Sequence, residues 1–394
     1  MRCLARKLFV IALVVSLAAV TAAAQITEPE FRAYLSKKAT INSDELAELD
    51  RGGIVVKAIP ASDKQEVAVV GVVRVKQLPT VTLRDFRDSL SPKSSKEMDA
   101  KGQFSNPPVI GDLAGLKLEE RDFKELRKCI VGDCDVNMSA DWIDKFGKGL
   151  DWTAPDHKQK ATELFREMLL QYAGNYSTGG TELLGEYANR KDTVSLSRSH
   201  RSLIANALFL DVLAPELLAY LKEFPKKELS GVESSTHWSN IDFGLNPTVT
   251  LSHSAAFTNS AGDHFVAARQ FYSSRYLDAS LSLTMLLRFS DGVTYIVFSD
   301  RSRSDALEGI FHGMSKRVVE AEAIERVKNL LKNSELRLIT ANRPQMEVNN
   351  PAAEISFKDR VLTRLLSPLG IVSAIVVFLL IAYAAGRSIS RKQK

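Results

Sequence analysis

The 394-residue chain has few of the side chains that carry recognisable chemistry. It holds no G-x-S-x-G elbow, no H-E-x-x-H pair, no G-x-G-x-x-G turn and no Walker loop, so the common local signatures of hydrolases, zincins, dinucleotide binders and nucleotide triphosphatases are missing. The six histidines, His157, His200, His237, His253, His264 and His312, show no metal-ligand spacing. No cofactor or metal is expected. An enzyme is disfavoured and not removed, because triads assemble from distant positions. A basic surplus over the body is also lacking. The formal charge is +5, but residues 1–7 bring +3 and residues 387–394 bring +4, which leaves −2 for everything between. The excess sits at the two ends, where it suits membrane topology better than nucleic acid.

Cysteine is scarcer still. Of three, Cys3 falls in a segment read below as cleaved, and Cys129 and Cys134 remain, in KCIVGDCDV. Two thiols so close, with Gly132 between them and an oxidising compartment expected, suggest a disulfide hairpin, with free thiols as the alternative. Asp133, Asp135 and Asn137 imitate half a calcium loop. Met138 stands where the sharp turn needs glycine, and Asp144 where a bidentate glutamate belongs, so no calcium site is expected.

What the chain does have is two apolar runs. Residues 365–386, LLSPLGIVSAIVVFLLIAYAAG, are uncharged and flanked by Arg364 and Arg387. At about 1.5 Å per residue they reach roughly 33 Å, enough to span a bilayer. At the other end Arg2, Arg6 and Lys7 precede an apolar run and the small residues Thr21 to Ala24, the pattern of a signal peptide over residues 1–24, with an uncleaved anchor as the alternative. The basic tail 387–394 fits a cytoplasmic end. The expected product is a single-pass membrane protein with its body on the periplasmic or extracellular side and a short cytoplasmic tail.

Between these ends the pattern predicts an α+β body. Residues 25–111 read as an α/β segment with helices over 28–37 and 43–51, strands over 54–59 and 66–77, and a linker from 79. Residues 112–235 read as a strand over 112–118, a disulfide turn and a helical region. In that region Tyr172, Tyr176, Tyr187 and Tyr220 fall at core spacing. Asn137 and Asn175 are formal glycosylation acceptors. Residues 236–335 carry the clearest signal: strand-like runs over 236–243, 248–257, 265–276, 280–289 and 293–299, then an amphipathic helix over 314–333 with a stripe through Met314, Val318, Ala321, Ile324, Val327 and Leu331. Val249, Leu251, His253, Ala255 and Phe257 share one strand face, as do Leu281, Leu283, Met285, Leu287 and Phe289, while Ser, Thr and Arg mostly hold the other. The helix is expected to lie across that apolar face. Residues 336–364 read as a juxtamembrane linker leading into the apolar run.

The strand TVTLSHSAAF, the strand SLSLTMLLRF and the helix MSKRVVEAEAIERVKNLLKN, in that order after a helical insertion, give residues 112–333 an element order similar to the START-like helix-grip superfamily. The resemblance is one of element order, with no diagnostic motif, and it implies a cavity for a lipid or other apolar ligand between sheet and terminal helix. Strand phase then nominates lining residues. Arg269, in phase with Phe265, Ala267 and Phe271, is read as pointing inward, either to grip a polar head group or to sit in a structural ion pair. His253 lies on the apolar face, as a satisfied core residue or a site residue. Tyr272 and Tyr276 fall on the opposite phase, and Trp238 begins the first strand. Arg301, Arg303 and Asp305 are read as a solvated turn. The leading reading is non-catalytic ligand binding, with an envelope adaptor acting through protein contacts, or an unrecognised hydrolase, as alternatives.

Closing so short a loop stabilises by about 2 kcal/mol on the chain-entropy scale. Cys129→Ser is therefore expected to cost about that amount and to leave the chain folded, as read by urea denaturation.

Overall fold

The computed structural model describes residues 26–340, except 62, 91–97, 242–246, 290–291, 305–306 and 308–311. The segments read as signal peptide and transmembrane helix lie outside the described residues. Among those that are described, no helix is long and apolar enough to cross a membrane.

Ten helices and ten strands alternate along the described chain: α1 (Glu28–Lys38), α2 (Ser43–Asp50), β1 (Ile54–Ala58), β2 (Glu66–Lys76), α3 (Leu83–Ser89), β3 (Met98–Gln103), α4 (Glu120–Leu126), α5 (Ala140–Lys148), α6 (His157–Gly179), β4 (Glu186–Tyr187), β5 (Val194–Ser195), α7 (Leu196–Ala205), α8 (Leu210–Leu213), α9 (Pro215–Glu223), β6 (Glu233–Ile241), β7 (Thr248–Thr258), β8 (His264–Ser273), β9 (Ala279–Arg288), β10 (Val293–Arg303) and α10 (His312–Thr340). The first three helices start at reciprocal caps, Thr27 with Glu30, Asn42 with Glu45 and Thr82 with Asp85, each pair satisfying amides that a helix start leaves open. Residues 79–111, read from sequence as loop, carry α3 and β3. Residues 112–118, read as a strand, instead begin in a 3-10 turn, Ile110–Leu113.

Eight strands form one antiparallel sheet in the order β1-β2-β10-β9-β8-β7-β6-β3. The run from β6 to β10 is the meander that the alternation predicts. The early hairpin β1–β2 joins it by pairing β2 with β10, from Val293↔Lys76 to Arg303↔Glu66. β10 therefore runs four residues past its predicted end. The arginines read as a solvated turn lie in it: Arg301 is buried and ion-paired with Glu66, and Arg303 pairs with Asp63. Asp305 is outside the described residues.

Both faces of this sheet are covered by helices. One carries Val70, Val72, Ala255, Phe257, Phe265, Leu281, Leu283, Met285, Leu287, Tyr295 and Val297 against Phe31 and Leu35 of α1, Leu49 of α2, Leu203 of α7, and Leu217 and Leu221 of α9. At its far end Val249, Leu251 and Phe271 meet α5 and α6. The opposite face carries Val67, Val69, Val73, Val266, Leu286, Ile296 and Phe298 against Phe86 of α3 and Val319, Ala323, Val327, Leu330, Leu331 and Leu338 of α10. A long C-terminal helix does pack on an antiparallel sheet, which is as far as the helix-grip likeness extends. It packs on the face opposite to the one that sequence favours, because α1, α2 and the helical insertion already occupy the more apolar side. Its stripe is rotated to match, with Ala321 exposed and Val319 and Ala323 buried.

The α10 crossing is tight. A β-carbon built on Gly71 would lie 2.5 Å from Val327 Cγ1 and 2.7 Å from Leu331 Cδ1, so at this point helix and sheet are in direct contact with no cavity between them. Gly71→Ala is expected to destabilise by about 1–3 kcal/mol. Val327→Ala, which removes the stiffer of the two obstacles, should restore part of that loss in the double variant. Chemical denaturation of the four-member set checks the coupling, and strict additivity would show that the crossing is looser than the structure has it.

Candidate functional site

The polar side of the meander is buried, and that is the unusual feature of the sheet. Cross-strand register lines its side chains into rows on the α10 face. One row runs His237, Ser252, Gln270, Ser280, Ser302 and Val67, and the next runs Ser235, Ser254, Ala268, Ser282, Asp300 and Val69. Ser252, Gln270, Ser280, Ser282, Asp300 and Ser302 are all buried. The third row, Ala256, Val266, Thr284 and Phe298, is largely apolar and belongs to the core cluster under α10. Polarity thus falls along the strands over three rows. The described α10 crosses mainly β1, β2 and β10, so the part of the polar rows on β7, β8 and β9 lies to one side of the helix, with Asp300 and Ser302 of β10 at its inner end.

Two side chains there lack partners among the described residues. Both amide atoms of Gln270, which is 1% exposed, and the hydroxyl of Ser280 make no hydrogen bond. A buried polar group without a partner costs about 1–3 kcal/mol, and Gln270 leaves both a donor and an acceptor open. Asp300 beside them accepts from Ser282 Oγ at 2.5 Å and Ser302 Oγ at 2.8 Å. Burial pushes its carboxyl up to about 6, against the two hydroxyls and the charge of Arg301, which favour the ionised form. Donor, acceptor and a carboxyl of adjustable charge therefore face one buried surface. Such a surface can hold a small polar group, or the polar end of a larger molecule, by hydrogen bonds. None of these five residues, Gln270, Ser280, Ser282, Asp300 and Ser302, stood out in the sequence. Their signal was the repeated Ser and Thr at alternate positions in SLSLT, a pattern that ordinarily faces water.

The residues that strand phase nominates lie elsewhere. Arg269 and His253 point to the opposite face, toward α6 and α9. Arg269 Nη2 donates to Leu221 O at 2.6 Å, and His253 lies between Tyr176 Oη at 2.7 Å and Ser234 Oγ at 2.8 Å. Tyr272 misses its predicted phase because of a β-bulge. Leu251 pairs with Tyr272 while Ser252 pairs with Gln270, so Phe271 is the extra residue and both rings enter the cluster beneath α6. There the Tyr272 hydroxyl donates to Asn137 O at 3.1 Å. Trp238 is buried in the same cluster and donates from Nε1 to Asp112 O at 2.8 Å. Tyr276 sits after β8 in a left-handed turn, φ +71°, half-buried beside the α10 face. Of the five, Arg269 and His253 come together, Trp238 and Tyr272 share a second cluster, and Tyr276 alone is on the side of the polar rows.

Cys129 and Cys134 form the expected disulfide. Asn137 is buried, and its amide donates to Ser273 O and Leu277 O, which leaves no room for a glycan in the folded chain. Among the described residues no group of three or more His, Cys, Asp or Glu is placed to hold a metal ion. No family model matches the chain, and no curated protein matches it significantly.

Two buried groups make stability depend on pH in opposite senses. Burial, reinforced by the charge of Arg269, lowers His253 from 6.5 to about 3, so its contribution is complete above pH 6.5 and is lost as pH falls. Asp300 rises from 3.8 to about 6, so its contribution is complete below pH 3.8 and is lost as pH climbs through 6. Compared with Asp300→Asn, the natural chain should lose roughly 3 kcal/mol between pH 4 and 6.5. Urea midpoints across that interval measure the difference. A constant gap would place the Asp300 carboxyl in water.

Proposed function

We propose that this is an exported, single-pass membrane-anchored binding protein that receives a lipid-like, amphipathic molecule on the buried polar face of its sheet, beside α10. The reading is carried by Gln270, an amide with both ends unpaired in a buried site. Water or a ligand must complete it, and the neighbouring surface favours a ligand with two ends. Its polar end would meet Gln270, Ser280 and Asp300, and its apolar end would follow the strands toward Val266 and Phe298. No reaction is assigned. The apolar segment 365–386 and the leader-like residues 1–24 support anchorage with the body outside and residues 387–394 in the cytoplasm. The adaptor reading also has an observation in its favour. Ile130 and Val131 stand 63% and 52% exposed at the tip of the disulfide loop, where they offer a contact for an envelope partner.

Solvent extraction of the purified full chain, followed by mass spectrometry, tests the binding reading. The natural protein should release a defined amphipathic molecule, and Gln270→Leu should release little. Without ligand, Gln270→Leu should be more stable than the natural chain by about 1–3 kcal/mol, since it removes two unmet hydrogen-bonding groups. An empty natural protein, together with a destabilised Gln270→Leu, would defeat the proposal.

A further inference from the structure

Next to Gln270 in β8, and therefore on the other side of the sheet, Arg269 poses a separate problem of charge. Four arginines are buried among the described residues. Arg275 is paired with Asp122 and Glu125, Arg301 with Glu66, and Arg326 with Glu322. Arg269, 3% exposed, has no carboxylate within ion-pair distance among the described residues. Its two contacts are Leu221 O at 2.6 Å and the Tyr176 hydroxyl at 3.5 Å. Leu221 lies in the last turn of α9, whose negative end supplies about half a charge at most. The remainder has no counterpart, and a buried ion without one costs several kcal/mol.

The surrounding groups are neutral donors. His253 is hydrogen-bonded through Nδ1 to Tyr176 Oη and through Nε2 to Ser234 Oγ, so both of its ring nitrogens are taken. Tyr220 also donates to Ser234 Oγ, at 2.9 Å. That chain is complete. His200 is not part of it. Its Nε2 is buried with no partner, and it lies near enough to Arg269 for that charge, added to burial, to hold it neutral. A guanidinium with no counter-ion and an imidazole with an unused nitrogen therefore lie buried on one face of the sheet, Arg269 against Leu221 of α9 and His200 on α7, which packs against α9.

We propose that one small monovalent anion, a halide or a single carboxylate group, sits between the Arg269 guanidinium and a His200 Nε2–H. The site is separate from the polar rows, and its test does not depend on them. Full chain is melted in bromide and in isethionate, a larger anion, at equal ionic strength, and crystals grown in sodium bromide are examined for anomalous scattering. Bromide should raise the melting temperature in proportion to the logarithm of its concentration, and a peak should lie within about 4 Å of the guanidinium. His200→Ala should raise the half-saturating bromide concentration about tenfold, the loss of one charged hydrogen bond. Arg269→Met should abolish the bromide response. Should Arg269→Met fail to fold, the bromide peak in the natural chain decides alone. A stoichiometric organic acid released on denaturation, with no bromide response, would support the same site with a carboxylate as occupant. No bromide peak, no released acid and an Arg269→Met variant as stable as the natural chain would overturn it.

Discussion

Everything distinctive in this protein follows from covering both faces of a sheet that is apolar on only one. An antiparallel meander normally leaves its serines and threonines in water. Here the helical insertion, with α1 and α2, takes the apolar side, and the last helix is left with the other. Over β2 and β10 that side is Val, Ile and Phe, and α10 packs directly on it. Over β7, β8 and β9, and at Asp300 and Ser302 near the end of β10, it is Ser, Gln and Asp, with Gln270 and Ser280 buried and unpartnered among the described residues. A core that only had to be stable would have filled this region with apolar side chains, so its polarity is the strongest pointer to something bound there.

Much of the fold is legible in the sequence because period-2 alternation and helix capping are local. The strands from β6 to β10, the helix after them and the cysteine pair are all visible that way. What stayed hidden is long-range. Nothing in the sequence of β2 says that it pairs with β10, and nothing in SLSLT says that the serines are covered. The extra residue at Phe271 reverses the phase of Tyr272, which no alternation rule can anticipate. The face chosen by α10 is not legible for a related reason. One-residue rotation turns one plausible stripe into another, and the decision belongs to the helices that cover the other side.

Arg269 and Gln270 show how the two kinds of site differ. They are neighbours in one strand, point in opposite directions, and each leaves a polar requirement open. For Arg269 the requirement is charge, which an ion can meet. For Gln270 it is direction, a donor and an acceptor that must be matched by shape. The histidines divide similarly. His253 is saturated, whereas His200 keeps a free nitrogen, and only the second can take part in recognition.

The pairing of β2 with β10 also governs how the chain is made. Glu66 and Arg301, which meet across it, are 235 residues apart. A chain emerging from its amino terminus can pair one edge of EVAVVGVVRVK with β1 at once, but must leave the edge that will meet β10 open until nearly the whole sheet has been made. Closure of the sheet waits for its last strand, so the order of synthesis sets how long that edge stays open.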